Sequence, residues 1–172
     1  MIKPAQVIVE LLADDGLIPN NPLLPLLVYQ GALSLTNHNA VSLCEAAFAA
    51  NGWGSTWRNG IYPYHHYHST AHEALLIAQG EAEIQLGGEH GVRLAVKAGD
   101  AIIIPAGVGH KRLKASADLL VIGAYPPNQR WDLLRDRPDD YAQGKCNIAL
   151  VPLPTTDPIF GSAGPLLTHW RA

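Results

Sequence analysis

The segment GIYPYHHYHSTAHEALLIAQG, residues 60–80, holds four of the chain's eight histidines within eight positions. His66 and His68 are two apart in a predicted strand, so their side chains point to the same face. Two neutral imidazoles on one face can share a metal ion. The cluster alone leaves three interpretations open: a metal site, a proton-relay site, or a polar loop rich in histidine.

Two distant residues could complete a metal site. Glu73 opens the next apolar run, so a neighbouring strand can bring its carboxylate to the imidazoles. A third imidazole would have to come from farther along the chain. His110 is the candidate, since it follows GDAIIIPAGVG, residues 99–109, a predicted buried strand and tight turn. Three histidines and one glutamate leave positions open on a six-coordinate metal.

Composition sets the class of protein around this cluster. The 172 residues fit one domain, and 48% hydrophobic with 16% charged residues predicts a globular chain. The net charge of −3 argues against a general nucleic-acid binder. Cys44 and Cys146 are far apart, which argues against a zinc ribbon or a disulfide scaffold.

The N-terminal segment MIKPAQVIVELLADDG lacks the apolar core of a signal peptide, because Glu10, Asp14 and Asp15 interrupt it. No apolar run is long enough to span a bilayer. We therefore expect a soluble, cytoplasmic protein without membrane or nucleic-acid partners.

Sixteen glycines and thirteen prolines separate short apolar runs, which is typical of an all-β domain. One or two strands are expected before residue 35, around the turn IPNNP. Further strands are predicted near 56–62, 64–68, 73–78, 81–86, 92–97, 101–104, 110–114 and 118–125.

One helix is predicted before these strands, within residues 37–53. Val41, Cys44 and Phe48 recur at helical spacing, Asn39 can cap the start, and Gly52 can end the helix. Residues 126–140 are predicted to form a loop with one helical turn. The apolar tail, residues 147–170, is expected to pack back on the body.

The spacing of the histidine segment matches the first motif of the cupins: G, five residues, H-x-H, three or four residues, E, six residues, G. Gly60, His66, His68, Glu73 and Gly80 occupy its fixed positions.

The second cupin motif reads G, five residues, P-x-G, two residues, H, three residues, N. Gly99, Pro105, Gly107 and His110 match it, and Lys114 replaces the final asparagine. Eighteen residues separate the two motifs. The chain therefore resembles the cupin superfamily over about residues 55–125, and in length it is similar to uncharacterised single-domain bacterial cupins.

This resemblance implies a double-stranded β-helix, the jelly-roll barrel, as a single domain over residues 1–172. Segments 1–54 and 126–172 would pack on the barrel. It also implies one divalent metal, such as iron, manganese, nickel or zinc, held by His66, His68, Glu73 and His110. Cupins commonly form dimers, so a homodimer is expected.

Lys114 departs from the motif, and this difference affects what is expected at the floor of the pocket. If His110 points inward, strand alternation puts Arg112 and Lys114 on the same side. They would then line the cavity and attract an acidic substrate, unless they pair with acids such as Glu83 or lie in solvent. Tyr64 is a candidate for the aromatic lining of the pocket.

His65 and His72 are support or bystander residues in this interpretation. His65 has the opposite parity to His66 and should point away from the metal. His72 precedes Glu73 and is a candidate to orient a ligand or to shuttle protons. Both would otherwise be ordinary, partly exposed histidines.

Three functions follow from these patterns. The favoured one is a metal-dependent enzyme that acts on a small, acidic metabolite, with Glu73 as a metal ligand or a base. Among such enzymes a dioxygenase is favoured over an isomerase or a hydrolase. The second is a metal or small-molecule binding protein without turnover. The third is a metal-free sugar isomerase or epimerase, against which the complete ligand set argues.

Overall fold

Two antiparallel sheets enclose a common core in the computed structural model, which describes residue 4 and residues 6–171. The strands are β1 (Gln6–Glu10), β2 (Leu26–Gln30), β3 (Gly54–Asn59), β4 (His66–Tyr67), β5 (Glu73–Gln79), β6 (Glu81–Leu86), β7 (Val92–Lys97), β8 (Ala101–Ile104), β9 (His110–Ala115), β10 (Leu120–Tyr125) and β11 (Leu134–Arg135). The six-stranded sheet has the order β1-β2-β8-β5-β10-β3, and the five-stranded sheet has the order β11-β4-β9-β6-β7. The prediction of an all-β jelly roll is confirmed.

Strand β5 lies at the centre of the six-stranded sheet and is apolar along nearly its whole length. Leu75 and Ile77 face the core between the sheets, whereas Leu76 and Ala78 face a second core on the outer side. A strand that is buried on both faces reads as a continuous apolar run rather than an alternation. The outer core is covered by the helix that follows β2 and by the C-terminal tail.

The predicted helix is present as α1 (Ala40–Ala50), which buries Ala40, Cys44 and Phe48 against the outer core. Gly52 follows it with a φ of +77°, the left-handed conformation expected there. Asn39 occupies the cap position, but its side chain makes no bond to the first turn. Its Oδ1 instead accepts from the amide of Thr36, at 2.9 Å, so Asn39 is the N-cap residue as predicted but does not cap through its side chain.

The C-terminal segment contains two helices, α2 (Pro138–Ile148) and α3 (Pro165–His169), where a single turn was predicted. The start of α2 carries a recognisable signal, with proline in the first turn followed by Asp139 and Asp140. Its apolar face is too short to show helical periodicity, because only Gly144 and Ile148 are buried. None of the helices in the described part of the chain has the length and hydropathy that a bilayer crossing requires.

The tail lies against the six-stranded sheet. Trp170 is 4% exposed, and its indole N–H donates to the carbonyl oxygen of Pro25 at 2.8 Å. The Tyr29 hydroxyl donates to the fully buried carboxylate of Asp157 at 2.6 Å. The same carboxylate accepts the amides of Ile159, Phe160 and Leu166, so this one group joins the tail to β2.

We predict that Trp170→Ala lowers the free energy of unfolding by about 3–5 kcal/mol, because it leaves a cavity in the outer core and orphans the carbonyl of Pro25. Urea unfolding measures the change. Leu150→Ala is the control, since Leu150 is 81% exposed and should change stability by less than about 0.5 kcal/mol. Equal stabilities of the two variants would contradict the packing role of the tail.

Candidate metal centre

Three buried imidazoles meet at one end of the barrel. His66 in β4 lies directly opposite His110 in β9, and their ring centroids are 4.0 Å apart. His68 is the residue directly after β4 and lies on the same face as His66. One ring nitrogen from each histidine lies within 4.8 Å of the others. The antiparallel pairing of β4 with β9 thus joins histidines from two distant parts of the sequence.

Glu73 comes from the opposite sheet, as the first residue of β5. Its Oε2 lies 3.1 Å from His68 Nε2 and 3.2 Å from His110 Nε2. The structure therefore brings Glu73 against two of the three imidazoles, across the space between the sheets.

Backbone carbonyls set the tautomer of all three histidines. His66 Nδ1 lies 3.0 Å from the Tyr64 oxygen, His110 Nδ1 lies 3.1 Å from the Val108 oxygen, and His68 Nδ1 bonds to the Asp132 oxygen. A carbonyl oxygen can only accept, so each Nδ1 must carry the proton. Each Nε2 of a neutral imidazole is then left with a free lone pair, the state in which histidine binds a metal.

The centre consequently gathers hydrogen-bond acceptors without matching donors. Glu73 Oε2 is buried and has no partner of hydrogen-bond geometry among the described residues. Burial opposes ionisation of Glu73, but His68 and His110 outweigh it and hold the pKa of this carboxyl well below its ordinary value. Burial also opposes a charge on His68, yet the Glu73 carboxylate raises the pKa of His68.

The pKa of His66 moves in the other direction, to about 2, chiefly through burial and then through the nearby His110. The cluster therefore requires a positive charge, which a proton on His68 supplies only in part. Imidazole and carboxylate ligands suit divalent first-row metals, so the donor set fits such an ion. Binding of the ion would release the proton.

Tyr125 and Trp57 hold the other oxygen of Glu73. The Tyr125 hydroxyl donates to Glu73 Oε1 at 3.0 Å and accepts the indole N–H of Trp57 at 3.1 Å. The Trp57 ring reaches this position by lying over Gly123, where an added Cβ would be 2.1 Å from a ring carbon. This chain of bonds fixes the carboxylate so that Oε2 faces the imidazoles.

Asp132 lies outside both sequence motifs, yet its backbone oxygen orients His68. Its carboxylate accepts the Ser69 amide at 2.6 Å and also the Ser69 hydroxyl, and Asn147 donates to that hydroxyl at 3.0 Å. The side-chain bonds fasten the 129–134 loop beside β4, which keeps the carbonyl in place. The sequence interpretation missed this residue because a backbone acceptor leaves no side-chain signature.

The centre forms the floor of a cavity of about 290 Å³. Most of its wall consists of aromatic and aliphatic side chains. They come from β3 and the loop after it, from β5 and β10, and from the loop before β11. The lining residues are Ser55, Trp57, Arg58, Asn59, Gly60, Ile61, Tyr62, His66, His68, Glu73, Leu75, His110, Tyr125, Trp131 and Leu133.

Arg58 borders the cavity, but its guanidinium bonds to Glu45 of α1 on the outer side of the sheet. Arg112 and Lys114 do not line the cavity. A β-bulge explains the error for Lys114: Ile84 pairs with Arg112 but Glu83 pairs with Lys114, so the alternation breaks between the two cations. Lys114 is exposed, on the side of Glu83, and borders a different cavity. Neither Arg112 nor Lys114 is among the residues that line the metal cavity, and Lys114 follows the other alternative, a position beside Glu83.

Tyr64 stands one layer behind the wall. Its ring stacks on that of Tyr62 with centroids 5.0 Å apart, and the guanidinium carbon of Arg135 lies 3.7 Å from its centroid. Tyr62 lines the cavity instead. The contribution of Tyr64 to the centre is its carbonyl, which orients His66.

His72 lies outside the cavity and its two ring nitrogens are both engaged by backbone groups. Nδ1 accepts the Ala106 amide at 2.9 Å, and Nε2 lies 3.2 Å from the Pro152 oxygen. His72 is 1% exposed, so it is neither the partly exposed histidine nor the proton shuttle that the sequence suggested. His65 points away from the centre as its parity predicts, with Nε2 3.0 Å from Glu89 Oε2.

A family model described as the cupin domain matches residues 57–122. The uncharacterized protein YjlB of Bacillus subtilis (strain 168) is 45% identical over 157 residues, which cover 91% of this chain and 92% of that protein.

Similar solved structures include acireductone dioxygenase from Bacillus anthracis, which has a cadmium ion in its active centre. It is 15% identical with a TM-score of 0.38, and the match covers 72% of this chain and 80% of that one. A variant of oxalate decarboxylase from Bacillus subtilis is 16% identical with a TM-score of 0.37. That match covers 74% of this chain and 33% of the decarboxylase chain.

We predict that Asp132→Ala weakens divalent-metal binding by about 10–100-fold, because the loop that presents the Asp132 carbonyl to His68 loses its anchor on Ser69. Competition with a chelator of known affinity measures the dissociation constant. Asp139→Ala, an exposed aspartate in α2, should bind metal like the wild type. Wild-type affinity in Asp132→Ala would show that the carbonyl does not orient the ligand.

A second prediction concerns His72, whose pKa is lowered to about 4 by burial. The unfolded chain protonates this imidazole near pH 6.5, so between pH 6.5 and 4 the unfolded state binds more protons and stability falls as the pH drops. Through this group the metal-free protein should lose about 2 kcal/mol of stability between pH 7 and pH 5. His72→Gln should remove that part of the pH dependence in denaturant unfolding; an unchanged dependence would refute it.

Proposed function

This chain belongs to the cupin family, and from its buried centre we propose that it is a metal-dependent enzyme acting on a small molecule. The proposed metal is one divalent first-row ion per chain, such as iron, manganese, nickel or zinc. The proposed ligands are His66, His68, His110 and Glu73. The favoured chemistry is that of a dioxygenase.

The observation that carries the proposal is the convergence of three imidazole lone pairs and one carboxylate oxygen at the floor of a cavity. A purely structural metal is usually closed off by four protein ligands. Here the ligands form part of the wall of a space of about 290 Å³, so a substrate placed in it would lie against them. When bound, the ion would supply Lewis-acid or redox chemistry and positions for exchangeable ligands.

The remaining residues orient and shield the centre. Tyr125 holds Glu73 Oε1, so the carboxylate is restrained from swinging toward the cavity as a free base. Trp57, Leu75 and Trp131 surround the centre with apolar surface. Such a wall excludes water and strengthens the electrostatic interactions inside it.

The lining favours an oxidoreductase over a sugar isomerase or epimerase. An isomerase or epimerase needs a protein base that is free to take a proton from the substrate. Among the described lining residues, every carboxylate and imidazole is a proposed ligand and Tyr125 is bonded to one of them, so Tyr62 is the ionisable side chain of the wall that lacks such an engagement. A reaction carried by the metal and by dioxygen needs no additional protein base. Homodimeric assembly and a cytoplasmic location stay predictions.

We predict that His66→Ala and His110→Ala each lower metal occupancy from about one ion per chain to below roughly a tenth, because a three-ligand remnant binds weakly. Elemental analysis of protein purified without a metal-affinity tag measures the occupancy. His65→Ala is the matched control, as it removes a neighbouring imidazole that points to Glu89. Wild-type occupancy in both variants would overturn the ligand assignment.

A further inference from the structure

The chain contains two Asn-Gly pairs, Asn51-Gly52 and Asn59-Gly60. In such a pair the amide nitrogen of the glycine can attack the side-chain carbonyl carbon of the asparagine. Glycine favours this attack because it has no Cβ to hinder the approach and leaves the backbone free to turn. The fold gives the two pairs different surroundings, so their reactivities can be compared within one molecule.

The first pair is held at the end of α1. Asn51 Nδ2 donates to the carbonyl oxygens of Ala47, at 2.9 Å, and Pro158, at 3.0 Å. The Gly52 amide donates to the Ala49 oxygen at 3.2 Å, and a φ of +77° at Gly52 ends the helix. The carboxamide and the nitrogen that would attack it are therefore both engaged by other groups.

The second pair lies at the end of an edge strand. Asn59 is the last residue of β3, it is exposed, and β3 has a neighbour on one side within its sheet. The Gly60 amide donates to Asn59 Oδ1 at 2.8 Å, a contact that holds the carboxamide beside the attacking nitrogen. A Cβ built at Gly60 would meet no atom within 4 Å, so the side chain has room to turn toward that nitrogen.

From this contrast we propose that Asn59 is a site of spontaneous deamidation and that the fold protects Asn51. The Gly60 nitrogen gives its proton to a solvent base and bonds to Cγ of Asn59. The bond from Cγ to Nδ2 then breaks, and Nδ2 leaves as ammonia with a proton from solvent, which gives a cyclic succinimide. Water opens the ring at either carbonyl and yields aspartate or isoaspartate, with no change of oxidation state and no need for the metal.

The modification changes the wall of the cavity. Asn59 pairs with Val121, which packs in the core between the sheets, so the Asn59 side chain lies on the inner side of β3. Asn59 accordingly lines the cavity. Deamidation places a negative charge on this wall, and isoaspartate also lengthens the backbone by a methylene group where β3 ends. Every other carboxylate among the described lining residues is a proposed metal ligand.

Incubation of the folded, full-length chain in warm, mildly alkaline buffer tests the proposal. Trypsin cuts after Arg58, so the two asparagines fall in different peptides, and mass spectrometry follows the deamidation of each over time. Labelling with an isoaspartyl methyltransferase measures the isoaspartate. Asn59 should deamidate at least about tenfold faster than Asn51, because Asn51 must first break two hydrogen bonds.

Two glycine variants assign the reactivity to the Asn59-Gly60 pair. Gly60→Ala should slow deamidation of Asn59 at least about tenfold, because a methyl group hinders the approach of the nitrogen and restricts the backbone. Gly54→Ala is the matched control, since Gly54 lies in the same strand and a Cβ there also meets no atom within 4 Å. It should leave the rate unchanged. Circular dichroism verifies that both variants are folded.

Unfolding in urea separates the effect of the fold from that of the sequence. There the two asparagines should deamidate at rates within about threefold of each other, because both then precede glycine in a mobile chain. Equal rates in the folded chain would overturn the proposal, as would a faster Asn51 or an unchanged rate in Gly60→Ala. A folded chain in which Asn59 reacts more than about tenfold more slowly than in urea would overturn it too, since the fold would then protect this site as well.

Discussion

A buried group of hydrogen-bond acceptors is the constraint on which the rest of this structure depends. The Nε2 atoms of His66, His68 and His110 and Oε2 of Glu73 face one another at the buried floor of the cavity. Acceptors in such a place are costly unless a positive charge lies among them. The fold must hold these groups in place against their own repulsion, and the surrounding backbone does so.

Two of the three carbonyls that orient the imidazoles are close to their histidine in sequence, and the third is distant. Tyr64 and Val108 each stand two residues before the histidine they orient, so the local chain supplies these bonds. The carbonyl for His68 comes from Asp132, in the C-terminal segment. Tyr125, Trp131 and Leu133 lie in that part of the chain as well, beyond the 57–122 cupin-domain match. The matched core thus supplies the proposed metal ligands, whereas the segment that follows it supplies one orienting bond and part of the cavity wall.

This division explains how far the sequence could predict the site. The proposed ligands follow a fixed spacing along two strand–turn units, so the gapped motifs alone indicated His66, His68, Glu73 and His110. The cavity wall has no such pattern. The position of Lys114 was inferred from strict alternation, which the bulge between Glu83 and Ile84 interrupts. Arg112 keeps the alternation, opposite Ile84, yet it does not line the cavity.

Other parts of the site escaped prediction for related reasons. Trp57 reaches the cavity from β3, whose mostly exposed residues carry no alternating pattern that would indicate an inward face. Asp132 acts through its backbone oxygen, which any residue could present. The strands were predicted well because short apolar runs between turn residues define them locally. The helix α2 was not predicted, because it packs through Gly144 against Tyr67 and therefore shows no stripe of apolar residues in the sequence.

The number of backbone bonds to each imidazole separates the histidines by role better than their clustering in the sequence does. His72 stands in the same segment as His66 and His68 and is more deeply buried than either. Backbone groups engage both of its nitrogens, so it ties the 105–107 turn to the tail and has no lone pair to offer an ion. The three histidines of the centre each give one nitrogen to a carbonyl and direct the other inward. Burial by itself therefore does not indicate function here. A half-satisfied imidazole, facing others in the same state across a carboxylate, is the arrangement that requires a cation and that a metal can satisfy.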